Sequence, residues 1–150
     1  MKPIPRTLAA LFLASTPLFA AGLVNVSGAS NVAIDGYDPV AFFADARPVN
    51  GAPNITATYQ GATYFFATDE HKRLFEQNPG KYAPQYGGFC AYGAALGALF
   101  PVDINTWQIR NGRLYLNLNA EILKKFNADF NGNIAKAERN WPGLAAKNGK

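Results

Sequence analysis

One thiol and one imidazole carry most of the chemistry that this sequence offers: Cys90 and His71 are each the only residue of their kind. Thiolate and imidazole are preferred ligands of zinc and copper. A thiol that passes its proton to an imidazole is also a minimal nucleophilic pair. Ligand arithmetic limits the first use. A closed zinc site takes four ligands, so carboxylates such as Asp38, Asp69 or Glu70 would have to complete it. A two-ligand Cu(I) site needs only the pair. The second use lacks a third group to orient the imidazole, which makes catalysis the weaker reading. Each residue also has an ordinary explanation. Cys90 sits among Gly87, Gly88, Phe89, Tyr92 and Gly93, where a thiol packs as a small hydrophobe. His71 shares a helical face with Leu74 and Phe75, where an imidazole is either packed and hydrogen-bonded or serves as a ligand or acid–base group.

Two further sets could do chemistry. Asp35 and Asp38 suggest paired carboxylates, although a turn at Asp35-Gly36 and a helix cap at Asp38 explain them better. Tyr37, Tyr86 and Tyr92 are candidates to line a pocket beside Asp38, or they edge the core. The glycines at 87, 88, 93 and 97 make no phosphate loop, because no Gly-Lys-Ser/Thr and no strand–GxGxxG–helix context accompanies them.

The elements that must position these residues follow from local pattern. Asp38-Pro39 reads as a helix start, with Asp38 capping and Pro39 in the first turn. Arg47 to Asn54 is expected as loop. Ile55 to Ala67 alternates as a hairpin around Gln60-Gly61. Thr68 then caps a helix whose first turn holds Asp69 and Glu70, and Pro79-Gly80 is expected to end it. Tyr82 to Gly97 has no clean period and should pack irregularly, with one short helix at most. Asn111-Gly112 predicts a type I′ hairpin between Trp107–Arg110 and Arg113–Leu116. Asn119 should cap a helix bearing Ile122, Leu123, Phe126 and Phe130. A last helix over about 134–141 should stop before Pro142. The class is α+β: small antiparallel hairpins packed with several short helices.

Lys2 and Arg6 precede the apolar run Leu8–Ala14, and small residues follow at Ala20, Ala21 and Gly22. The run is shorter than the roughly 20 residues of a membrane span and has the order of a secretory signal. We therefore expect a signal over 1–21 with cleavage near 20–22, a flexible leader over 22–31, one domain over 32–143 and a tail over 144–150. The mature protein should be periplasmic or secreted, with no membrane span. Loss of Lys2 and Arg6 lowers the net charge from +4 to +2. The remaining charges are interspersed, which argues against nucleic acid as a partner. With one cysteine no intramolecular disulfide forms, so the core must hold the fold; the chain is 49% hydrophobic.

The run Asp35-Gly36-Tyr37-Asp38-Pro39-Val40-Ala41, then Tyr64-Phe65-Phe66-Ala67-Thr68, Phe75, Asn78-Pro79 and Lys81-Tyr82, resembles the YHS family. The later runs Tyr86-Gly87-Gly88-Phe89-Cys90-Ala91-Tyr92-Gly93 and Asn111–Asn117 are similar to its exported stand-alone branch. The resemblance implies a YHS-type domain across nearly all of Val32 to Trp141. Many such domains handle heavy metals through three cysteines, and the positions matching those are Ala41, Ala67 and His71. The resemblance therefore does not carry the usual metal site over. The expected function is an exported binding module for a metal ion, with copper or zinc in view, or for a small ligand, using Cys90 and His71. The alternatives are an enzyme using that pair with a bound ligand and a protein-interaction domain, with a periplasmic protein as partner.

Overall fold

Two hairpins frame the structure, a computed structural model that describes residues 22–149. The proposed signal over 1–21 lies outside the described residues. Strands β3 (Ala52–Tyr59) and β4 (Ala62–Phe66) join through Gln60 and Gly61, at φ 50° and 81°. Strands β5 (Asp103–Arg110) and β6 (Arg113–Asn117) join through Asn111 and Gly112, at φ 53° and 71°. Two successive positive φ values make the turn whose twist matches that of the flanking strands. β3 begins earlier than its alternation suggested and takes in Pro53. It lies at the sheet edge, with a register shift between Ala52 and Thr56, where a proline without an N–H is tolerated.

The segment expected to lead into the domain is built into it instead. β1 (Val26–Ser27) pairs antiparallel with β2 (Val32–Ala33), and β2 pairs parallel with β4 through Val32 and Thr63. The sheet order is β1-β2-β4-β3. Val24 is buried, and the Asn25 N–H donates to the Gly87 carbonyl at 2.8 Å.

The helices are α1 (Ala41–Ala44), α2 (Asp69–Gln77), α3 (Pro79–Tyr82), α4 (Ala91–Leu96), α5 (Ala120–Ala128) and α6 (Phe130–Asn148). Thr68 and Asn119 accept the His71 and Ile122 N–H groups, the caps expected of them. Pro79-Gly80 does more than end α2: the Asn78 side chain accepts the Lys81 N–H and Pro79 opens α3. Phe130 belongs to α6, because Asp129 caps a new helix there. α6 also continues through Pro142, contrary to expectation. That proline gives no N–H to the Glu138 carbonyl, and the packing of Trp141 and Leu144 against the core offsets the loss. No helix among the described residues is long and apolar enough to cross a membrane.

β6 divides the interior in two. Leu114 and Leu116 face a core with Val40, Phe42, Tyr64, Phe66 and Phe75. Tyr115, pointing the other way, packs with Tyr86, Ala91, Ala94, Phe126 and Phe130 under α4, α5 and α6. Alternate residues of a strand point to opposite faces, so one five-residue strand serves both cores.

Candidate functional site

Asp38 lies at the centre of the polar interior and is fully buried. One carboxylate oxygen, Oδ1, accepts the Val40 and Ala41 N–H groups at 2.8 and 3.3 Å, capping the turn that leads into α1. The other, Oδ2, accepts the Ala67 N–H at 2.8 Å and meets His71 Nδ1 at 2.7 Å. Every contact of the carboxylate is thus with a nitrogen able to donate. A buried charge is tolerated only with such partners. The sequence supplies the geometry locally at both ends. Pro39 sets the turn that brings the Val40 and Ala41 N–H groups around, and the Thr68 cap starts α2 so that His71 lies one turn in.

We assign the hydrogen of this contact to Nδ1, because a carboxylate oxygen accepts; in the neutral ring Nε2 then keeps its lone pair. Nε2 has no hydrogen-bond partner among the described residues and is not a buried atom. The His71 side chain keeps 11% of its surface exposed. A carboxylate that fixes an imidazole through one nitrogen leaves the other oriented as a ligand or base.

Cys90 has a different environment. Its side chain is 1% exposed. The sulfur accepts the Gly93 N–H at 3.5 Å, capping α4, and lies 3.6 Å from Asn117 Oδ1. That oxygen also accepts the Tyr92 N–H at 3.2 Å. Asn117 Nδ2 is buried without a partner among the described residues. Turning the amide over would set its N–H₂ against the Tyr92 N–H, so the orientation is fixed. The thiol shares no hydrogen-bonding partner with His71.

The tyrosines are divided between the two cores. Tyr37 packs against the first core and bridges to Asn50; Tyr92 packs against the second. Tyr86 stacks edge-on to Trp141, with a cavity of about 200 Å³ beside it. Burial, then the nearby Glu138 carboxylate, pushes its phenol well above the ordinary range. None of the three is hydrogen-bonded to the Asp38–His71 pair. Asn117 was missed in the sequence; a polar residue closing the run Leu114-Tyr115-Leu116 was the available signal.

A family model for the YHS domain matches residues 40–86. The chain carries a YHS domain. No curated protein and no solved structure matches the chain. The matched stretch of the YHS domain holds β3, β4, α2 and His71, while Asp38 stands two residues before it and Cys90 four after it. Ala41 and Ala67, which bring no ligand atom, meet Asp38 through their backbone N–H groups. Among the described residues no group of three or more His, Cys, Asp or Glu is placed to hold a metal. The donor set therefore does not fit a closed thiolate centre in this YHS domain.

Proposed function

We propose that the protein is an exported YHS-type binding module of the periplasm, and that it takes a small ligand or a metal ion through the imidazole of His71. The observation behind this reading is the 2.7 Å contact between His71 Nδ1 and the fully buried carboxylate of Asp38. Pre-orienting one ring nitrogen from a saturated carboxylate is what a recognition group requires. A metal held this way would have an open site, completed by donors from a ligand or from solvent. Cys90 takes no part in this reading; its thiol caps α4. Titration with Zn(II) as the probe, under reducing conditions and with circular dichroism as folding control, separates the roles. His71→Ala should abolish the Zn(II) response, and Cys90→Ser should leave it intact. A response that needs Cys90 and survives His71→Ala would contradict the reading.

The protein-interaction alternative has one observation in its favour. Leu96 and Phe100, at and just beyond the end of α4, are large apolar side chains with 62% and 42% of their surface exposed. The enzyme alternative draws no support from a Cys90–His71 hydrogen bond, since the two side chains bond to separate partners.

A further inference from the structure

Ile34, Asp35 and Gly36 are three successive residues at positive φ, 44°, 53° and 79°. Glycine adopts this backbone freely and aspartate tolerates it, but a β-branched isoleucine there is strained. The loop faces the outer side of β4. Tyr64 and Phe66 point into the core, so Phe65 points out. Two glycines pack against Phe65, Gly51 on its backbone and Gly36 on its ring. A Cβ on Gly51 would lie 2.4 Å from the Phe65 carbonyl carbon, and one on Gly36 would lie 3.2 Å from Phe65 Cδ2, at a positive φ besides. Backbone and glycines together leave an aromatic floor in an open depression of about 590 Å³.

The rim of that depression is polar. Ser27 donates to Asp35 Oδ1, and Ser30 donates to the Ser27 carbonyl. The Asp35 Oδ2 atom and the Asn50 amide have no partner among the described residues, and both residues are exposed. Val32 and Phe65 supply the apolar surface, and among the described residues no Lys or Arg lines the depression. An anion would therefore meet only a carboxylate. A pyranose chair with an apolar C–H face and equatorial hydroxyl groups would match these groups, its C–H face on Phe65 and its hydroxyls donating to Asp35 and exchanging hydrogen bonds with Asn50.

We propose that this depression is a binding site for a neutral saccharide, with Phe65 as the stacking platform and Asp35 as the principal hydrogen-bond acceptor. The site is independent of His71. The test is titration of the isotopically labelled protein with maltose, cellobiose and N,N′-diacetylchitobiose, and separately with choline, followed by amide NMR. At least one disaccharide should move the signals of Val32, Asp35, Gly36 and Gly51 saturably. Asp35→Asn and Phe65→Leu should each weaken that binding about tenfold or more, the loss expected when a charge-assisted hydrogen bond or an aromatic contact is removed. Should a variant not fold, the wild-type titration still decides. Signals unmoved by all three sugars, choline binding in their place, or folded variants that bind as tightly as wild type would each overturn the proposal.

Discussion

Two entries into helices in this protein, the turn before α1 and the start of α4, have their N–H groups accepted by side chains buried to nearly the same degree, and they are completed differently. At α1 the Asp38 carboxylate, 0% exposed, has donors on both oxygens and reaches across to His71. At α4 the Cys90 thiol, 1% exposed, takes one backbone N–H and leans on Asn117, whose Nδ2 is left without a partner. A cap that is only a cap can end in packing. A cap that is charged must be satisfied on every side, and at Asp38 that requirement orients an imidazole. The chemistry of the molecule therefore rests with the first start, although the thiol is the more reactive group in isolation.

The comparison can be broken most severely through the seat of α2. Phe75 is buried against Tyr59, Tyr64 and Phe66, with ring centroids 5.9, 4.9 and 5.1 Å away. Phe75→Ala should cost about 3–5 kcal/mol, read as a lower urea midpoint; an unchanged midpoint would mean that α2 does not depend on this core. Asp38→Ala should follow at about 3 kcal/mol, since it leaves buried N–H groups and His71 without their acceptor. The corresponding change at the other start, Cys90→Ser, should cost no more than about 1.5 kcal/mol, because a hydroxyl can still cap Gly93. Equal losses for Asp38→Ala and Cys90→Ser would erase the distinction.

Alkali gives a finer comparison. Burial, then Tyr59, raises the Tyr64 phenol well above its usual value of 10.0. Above that value the unfolded chain loses a proton that the folded chain keeps. Stability is thus complete below pH 10 and falls as pH rises beyond it, by up to about 1.4 kcal/mol per pH unit for this group. Tyr64→Phe should flatten that fall in a denaturation series. If the slope is the same with and without the hydroxyl, Tyr64 ionises freely in the folded state.

Local signals along the chain announce the elements, and non-local pairing escapes them. Asn111-Gly112 and Gln60-Gly61 announced their hairpins because the turn is decided by two residues. Thr68 and Asn119 announced their helices by the same logic. Pro142 misled because a proline rule is local, whereas Trp141 and Leu144 hold α6 through tertiary packing. The segment 22–31 looked like a leader because its small polar residues carry no strong pattern; it is held by distant partners, with the Asn25 N–H on the Gly87 carbonyl and the Thr63 N–H on the Asn31 carbonyl. Asp38 was legible as a cap and His71 as a face residue. Their contact spans 33 positions, and no spacing rule reaches that far.

The central claim is that Asp38 fixes His71 with Nδ1 protonated and Nε2 available. His71 is the only histidine, so its imidazole nitrogens can be read without ambiguity by long-range proton–nitrogen NMR. The account predicts the Nδ1–H tautomer for the neutral ring, an Nε2 resonance that moves on adding Zn(II), and loss of that tautomeric preference in Asp38→Asn. A neutral ring protonated at Nε2, or a spectrum that Asp38→Asn leaves unchanged, would contradict it.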